Sequence, residues 1–169
     1  MAVKKSELHR SLWSSCNELR GRMDASQYKD YVLTLLFLKY VSDKYAGKAN
    51  ALVKIPENGS FDDIVKLRGD KDTGEKMNKV LCELAGANDL VGVIDIADFD
   101  SHDKLGSGRE KQNRLSNLVG IFAGIDLSAN RAEGDDLLGD AYEYLMRHFA
   151  TESGKSKGQF SSPLSQEVW

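Results

Sequence analysis

Apolar residues recur three or four positions apart along most of the chain, a spacing that predicts amphipathic helices. A first helix is predicted over Ser6–Arg20, where one face carries Leu8, Leu12, Trp13, Cys16 and Leu19. A second helix is predicted after Asp24 to about Tyr45, because Asp24 and Gln27 have the spacing of a capping box. Nine of the eleven residues in 31–41 are apolar or aromatic, which is typical of the central helix of a bundle.

Turn-forming residues separate these helices from further ones. Gly21 is expected to end the first helix in a left-handed conformation, and Asn58-Gly59 after Pro56 marks a turn. The same apolar spacing predicts additional helices over residues 61–67, 73–85, 107–122 and 135–150.

Together these segments predict an all-α, or nearly all-α, compact bundle of about five to six helices, with loops and a C-terminal linker. Ser107 and Glu110, three positions apart, predict a second capping box at the start of the helix of residues 107–122. Residues 152–163 are polar and contain glycine, a composition that suits a linker. We therefore expect residues 1–150 to form a helical domain and residues 151–169 to form a linker or the start of another domain.

Composition is that of a folded domain, with 41% hydrophobic and 29% charged residues. The most apolar window, residues 31–41, is shorter than the roughly 20 residues needed to span a bilayer. The N-terminus lacks the apolar run of a secretion signal, so we expect a cytoplasmic location and no membrane attachment. Cys16 and Cys82 fall within helical patterns and are expected to be reduced and buried.

Charge is unevenly distributed along the chain, although the net charge is only −3. Residues 1–50 carry a net charge of +4, and the remaining residues carry −7. Such asymmetry can mark a basic face that contacts phosphates. The alternative is that these charged residues form only the solvated sides of core-forming helices.

No motif in the chain predicts catalysis. The three histidines, His9, His102 and His148, have no metal-ligand spacing, and no Walker loop or nucleophile elbow occurs. Residues 86–103 contain five aspartates and no Lys or Arg, but they lack the order of a calcium-binding loop. We expect a solvated acidic loop there, with no catalytic residue, metal site or cofactor site in this chain.

Two stretches carry a resemblance to a known family. The first is LWSSCNELRGRMD at residues 12–24, followed by YKDYVL at 28–33 and FLKYVSD at 37–43. The second is GDDLLGDAYEYL at residues 134–145, followed by a tail in which Phe160 and Pro163 match but Ser161 and Ser162 depart from the family pattern. The chain resembles the N-terminal helical domain of the modification subunit of type I restriction–modification enzymes.

This resemblance implies that the intact subunit transfers a methyl group from S-adenosylmethionine to the exocyclic amine of adenine. Extruding that base costs a few kcal/mol and requires a firm hold on the DNA. The partners implied are double-stranded DNA, a specificity subunit, a restriction subunit and a second modification subunit. The family's glycine-rich cofactor loop and Asn-Pro-Pro catalytic loop are absent, so the chain alone is expected to be inactive. Phe160 and Pro163 would lie at the edge of the cofactor-binding domain.

The resemblance implies that the N-terminal domain helps to close the assembly around DNA. Six basic residues are candidates for contacts with phosphates that do not depend on DNA sequence: Lys4, Lys5, Arg10, Arg20, Arg22 and Lys29. One alternative is a protein-interaction domain that contacts the other subunits and not DNA. Another is an unrelated helical DNA-binding or regulatory module.

Overall fold

The computed structural model describes residues 5–45, 53–125 and 137–157, and the side chains of residues 7–45, 53–125 and 139–151. This described part contains seven α-helices and no strand, which confirms the all-α prediction. Six helices correspond to the predicted segments, and the four-residue α5 is an addition. The helices are α1 (Lys5–Arg20), α2 (Ala25–Tyr45), α3 (Phe61–Val65), α4 (Thr73–Ala87), α5 (His102–Leu105), α6 (Gly108–Ala123) and α7 (Leu137–Lys157).

Helix α2 is the centre of the bundle, as its apolar pattern predicts. It contacts α1, α3, α6 and α7, and it buries residues on most of its circumference. Two of the polar residues buried on α2 make side-chain contacts. Lys39 Nζ lies 2.8 Å from an Asp43 carboxylate oxygen. The Ser42 hydroxyl accepts the Phe61 amide at 2.8 Å, which joins α2 to the first residue of α3. A helix surrounded in this way must be apolar on nearly every side.

The two capping boxes predicted from spacing have different outcomes. At α2, Gln27 Oε1 accepts the Asp24 amide at 3.1 Å, so the reciprocal half of that box forms. At α6, the Ser107–Glu110 prediction is wrong, because Ser107 makes no side-chain capping bond. The Glu110 carboxylate instead pairs with the guanidinium groups of Arg22 and Arg114, at 3.4 and 3.1 Å.

The end of α1 also differs from its prediction. Gly21 does not have a positive φ, so it is not the left-handed residue expected there. The helix closes instead through the amides of Arg22 and Met23, which both donate to the Leu19 oxygen at 3.3 and 3.2 Å. This tight turn returns Met23 to the core, where it is buried, and α2 begins two residues later.

Only one of the two cysteines is buried, contrary to the prediction for Cys82. Cys16 lies inside the bundle, whereas Cys82 is exposed, and neither forms a disulfide. The buried stripe of α4 includes Met77, Leu81 and Leu84. Cys82 follows Leu81 directly, so it is rotated about 100° away from that stripe and faces solvent.

Helix α7 packs against α1 and α2 and continues beyond its predicted end. The His9 and Tyr144 rings stack with centroids 4.4 Å apart, and the Tyr28 and Phe149 rings meet edge to face at 6.0 Å. The helix reaches Lys157, although the composition of residues 152–157 suggested a linker. Seven residues are therefore added to the end predicted at Ala150.

The predicted turn near Pro56 is confirmed, with Asn58 at φ 69° and the Gly59 amide donating to the Pro56 oxygen at 2.9 Å. The predicted loop at 128–133 and the tail from residue 158, with Phe160 and Pro163, lie outside the described residues. Among the helices of the described part, none has the length and apolar character needed to cross a membrane.

Candidate nucleic-acid interface

One side of α1 presents two arginines to solvent together with an exposed tryptophan. Arg10, Trp13, Asn17 and Arg20 fall within an arc of about 80° at helical spacing, and we call them the α1 cationic face. Arg10, Trp13 and Asn17 are exposed, and Arg20 is half-buried. Glu18 accepts the Asn117 side chain at 3.1 Å, on the side that faces α6, and Glu7 is exposed one turn before Arg10. The four residues of the α1 cationic face therefore carry two positive charges, with Glu7 near the N-terminal end of the face.

Contacts within this face hold the Arg20 guanidinium in place. Its central carbon lies 5.7 Å from the centroid of the Trp13 ring, within the range of a cation–π interaction. Its Nη1 donates to Asn17 Oδ1 at 3.0 Å. These two contacts partly set the orientation of the Arg20 guanidinium before any anion binds.

Arg22 is less available than its position in the sequence suggests. It lies in the turn after α1, and its Nη1 is 3.4 Å from Glu110 Oε2 of α6. Arg114 contacts the same carboxylate at 3.1 Å and also donates to the backbone oxygen of Glu18. One carboxylate is thus shared by two guanidinium groups, and this cluster retains part of its positive charge at the edge of α1 and α6.

The remaining candidates are not brought together with Arg10 and Arg20 by any described contact. Lys29 is half-buried in the first turns of α2. Lys4 and the side chain of Lys5 lie outside the described residues. Among the candidates whose side chains are described, Arg10 and Arg20 share one face of α1 and Arg22 lies in the adjoining turn.

Sequence patterns did not identify Trp13 and Arg114 as parts of this surface. Trp13 was expected on the apolar face of α1 but is 45% exposed. It follows Leu12, which is fully buried, and one step along a helix turns a side chain by about 100°. This rotation can be read from the sequence and would have predicted an exposed Trp13. The role of Arg114 depends on the packing of α6 against α1 and had no signal in the sequence.

A second group of lysines surrounds a groove of about 460 Å³ between α3 and α4. Lys66, Lys76 and Lys79 line it, but carboxylates are close to two of them. Lys76 Nζ lies 2.8 Å from Asp70, and this contact raises the pKa of the lysine and lowers that of the aspartate. Lys66 lies 3.9 Å from Asp63. These ion pairs make the groove a weaker anion site than the α1 cationic face.

The described residues contain no arrangement that predicts catalysis. Among them, no group of three His, Cys, Asp or Glu side chains is placed to hold a metal ion. His9 is stacked on Tyr144, and His148 Nε2 lies 3.4 Å from the hydroxyl of Tyr28, so both histidines belong to the α1–α2–α7 packing.

Comparisons with known proteins identify the family. A family model described as the HsdM N-terminal domain matches residues 8–122, more than half of the chain, and the chain therefore belongs to this family. A second model, N-6 DNA Methylase, matches residues 133–168. The resemblance to the N-terminal domain of type I modification subunits is thereby confirmed.

Two relatives illustrate the similarity. The methylase subunit of the type I restriction enzyme MpnII of Mycoplasma pneumoniae is 21% identical, over 95% of this chain and 38% of its own length. The crystal structure of a type I restriction-modification system methyltransferase subunit from Streptococcus thermophilus shares the fold, with a TM-score of 0.71 at 24% identity. The match covers 89% of this chain and 40% of that one, so this chain spans about two fifths of either relative.

The boundary between the two family models falls between α6 and α7. Helix α7 lies within the residues that match the N-6 DNA Methylase model, yet it packs on α1 and α2 of the bundle. The last helix of the bundle thus matches one family model in sequence and packs against residues that match the other.

Proposed function

We propose that this chain is the part of a type I modification subunit that holds double-stranded DNA while the rest of the subunit methylates adenine N6. The intact enzyme would contain a specificity subunit, a second modification subunit and a restriction subunit. The chain's own role is electrostatic, because basic side chains that contact phosphates add affinity without reading sequence. Base extrusion requires such a hold, since the DNA must stay bound while stacking is lost.

The α1 cationic face is the observation that supports DNA contact. Arg10 and Arg20 are ten residues apart, about 15 Å along the helix axis. The major groove is about 12 Å wide, so α1 lying across it could bring the two guanidinium groups to phosphates on opposite strands. Trp13 lies between them and holds Arg20, while Arg22 adds charge at the end of the helix.

S-adenosylmethionine would bind elsewhere in the subunit. A glycine-rich nucleotide site needs a strand, a tight turn and a helix, and the described residues contain no strand. The described residues therefore do not fit S-adenosylmethionine, and we assign them no part in its chemistry. We retain the division into a helical domain at 1–150 and a linker or domain start at 151–169, with Phe160 and Pro163 bordering the cofactor domain and α7 spanning the junction.

DNA binding by this chain, followed by fluorescence anisotropy with a short duplex across a salt series, tests the proposal. The variants Arg10→Gln and Arg20→Gln remove charge without adding a carboxylate. If each arginine contacts one phosphate, the double variant should reduce the slope of log K against log salt by about 1.8. Arg147→Gln is the matched control, because Arg147 is an exposed arginine on α7, outside the face.

Charge reversal tests the contributions of Arg20 and Arg22 to DNA binding one at a time. Arg20→Glu should weaken binding and flatten its salt dependence, and so should Arg22→Glu. Arg22→Glu also places a carboxylate beside Glu110, so its folding must be verified by circular dichroism before its affinity is interpreted. An unchanged salt slope in both variants, in the chain and in the assembled enzyme, would refute direct DNA contact.

The second candidate function is a protein-interaction domain without DNA contact. The observation that favours it is the exposure of Trp13 beside Arg20, because Trp and Arg are the residues most enriched at binding hot spots between proteins. Absence of binding at low salt, together with loss of subunit assembly in Trp13→Ala, would favour this function over the first.

A further inference from the structure

An apolar groove lies between α2 and the loop that follows α4. Its volume is about 250 Å³, and six of its eight lining residues are apolar: Leu33, Phe37, Leu90, Val93, Ile94 and Ile96. Val91, Val93 and Ile96 in this loop are 69%, 60% and 54% exposed. They are three of the five large apolar side chains exposed in the described residues, and apolar surface gathered in this way usually marks an interaction site.

The loop that carries these side chains is fixed to the bundle at both ends. Asn88 Nδ2 donates to the backbone oxygens of Lys54 and Leu84 at 2.7 and 2.9 Å. Asn78 donates to Asp98 and accepts the Phe99 amide, at 2.9 and 2.8 Å. Between these anchors, the loop leaves its valines outside the core.

Two contacts hold the far end of the loop against α2. The Tyr31 hydroxyl donates to the Asp98 backbone oxygen at 2.7 Å, and the Tyr31 and Phe99 rings meet edge to face at 5.0 Å. Phe99 is fully buried. The groove wall is therefore built into the fold, and an occupant would bind a preformed surface at a low ordering cost.

Acidic residues accompany this apolar surface. Asp30 lines the groove from α2. In the loop sequence Asp89 precedes Leu90 and Asp95 follows Ile94, and Asp95 lines the neighbouring cavity together with Ile96. Residues 86–103, which include the whole loop, contain no Lys or Arg. The rim therefore repels nucleic acid and attracts cations, unlike the α1 cationic face.

We propose that this groove binds a protein segment that presents apolar side chains flanked by lysine or arginine. The apolar floor matches a helix with anchors on one face, and the aspartates match basic residues at its edges. The side chains of α2 that line it, Asp30, Leu33, Thr34 and Phe37, follow i, i+3, i+4 and i+7 spacing, so they form a stripe along which a second helix can lie. The chain would thus contact DNA and a protein partner through different surfaces.

Two synthetic amphipathic peptides of about 15 residues, long enough to form a helix on the surface, test this proposal. Both carry leucine along one face; one has lysines beside the leucines and the other has glutamates. Binding to the ¹⁵N-labelled chain is followed by amide chemical shifts. We expect the lysine peptide to perturb amides around Phe37 and Val93 and to bind about tenfold more tightly than the glutamate peptide, because only the former complements the rim.

Variants distinguish the groove from non-specific attraction. Val93→Glu should weaken the lysine peptide about tenfold, because its carboxylate would replace an apolar contact. Asp30→Asn with Asp89→Asn should weaken the lysine peptide and reduce its salt dependence, while the shape of the groove is kept. Tyr142→Glu is the control, since Tyr142 is a 53% exposed apolar side chain on α7, outside the groove lining. All variants are first shown to keep the amide spectrum of the folded chain.

Three outcomes would overturn the proposal. The first is equal affinity for the two peptides, and the second is shift changes away from the groove or insensitive to Val93→Glu. The third is self-association of the chain in sedimentation that Val93→Glu abolishes, because the groove would then be occupied by a second copy.

Discussion

Tyr31 couples the central helix to the acidic loop, and replacing it by phenylalanine isolates one hydrogen bond. The hydroxyl donates to the Asp98 backbone oxygen at 2.7 Å, and the side chain is 1% exposed. Tyr31→Phe keeps the ring against Phe99 and removes only the hydroxyl. At neutral pH we expect a loss of about 1–2 kcal/mol in the free energy of unfolding, because the bond is lost and the Asp98 oxygen keeps only the longer bond from the Ser101 amide, at 3.3 Å.

The effect of this substitution also depends on pH. Burial, with smaller contributions from the carboxylates of Asp98 and Asp30, raises the pKa of Tyr31 to about 12 from its ordinary 10.0. In the unfolded chain the phenol loses its proton near pH 10, whereas in the folded chain it stays protonated to about pH 12. Stability from Tyr31 is thus complete below pH 10 and is lost as the pH rises toward 12.

The size of this loss predicts that Tyr31→Phe becomes more stable than the wild type at high pH. At pH 11, ionisation of the unfolded chain alone removes about 1.4 kcal/mol from the wild type and nothing from Tyr31→Phe at this position. The advantage of about 1–2 kcal/mol at neutral pH should therefore nearly vanish at pH 11 and reverse above it. Other titrating groups are common to both proteins and cancel in the difference.

Urea unfolding followed by circular dichroism at pH 8, 10 and 11 measures this difference. Tyr142→Phe is the matched control, because Tyr142 is 53% exposed and its replacement should change stability little at any of these pH values. A difference between wild type and Tyr31→Phe that stays constant from pH 8 to pH 11 would refute the assigned hydrogen bond and the cause of the raised pKa.

Two further predictions concern α4. Gly74→Ala should destabilise the chain by about 1–3 kcal/mol, because the added Cβ would lie 2.2 Å from the Phe99 carbonyl oxygen. In the same helix, the Cβ of Gly86→Ala would meet nothing within 4 Å, so this variant should stabilise the chain by about 0.5–1 kcal/mol. Thermal unfolding of the two variants checks this, and equal melting temperatures would contradict the close approach of α4 to residue 99. A disulfide reagent should titrate one thiol, Cys82, in the folded chain and both cysteines after denaturation; rapid reaction of Cys16 in the native state would show that the α1 core is more open than described.

Local patterns predicted most of the fold. Apolar spacing identified six helices, and the start of α2 after Asp24 followed from a polar residue with a glutamine three positions later. The predictions failed where the decisive contact was distant in sequence. Glu110 is 88 residues from Arg22, and no local rule anticipates that this ion pair replaces the Ser107 cap.

The candidate surfaces could likewise be predicted only in part from the sequence. The N-terminal positive charge and the identities of Arg10 and Arg20 could be seen in the sequence, because charge and helical spacing are local properties. The partial neutralisation of Arg22 could not, since it requires α6 to pack on the end of α1. The apolar groove had no sequence signal either, because α2 and residues 90–96 supply its two walls.

By itself, the sequence determined the helical class, the position of most helices, the basic N-terminal end and the family, because periodicity, charge and motif are written along the chain. The tertiary structure alone decided which charges stay available, which valines remain outside the core, and how far α7 extends beyond residue 150. These features depend on which surfaces meet. Burial and charge pairing between distant segments are settled only when the whole bundle packs.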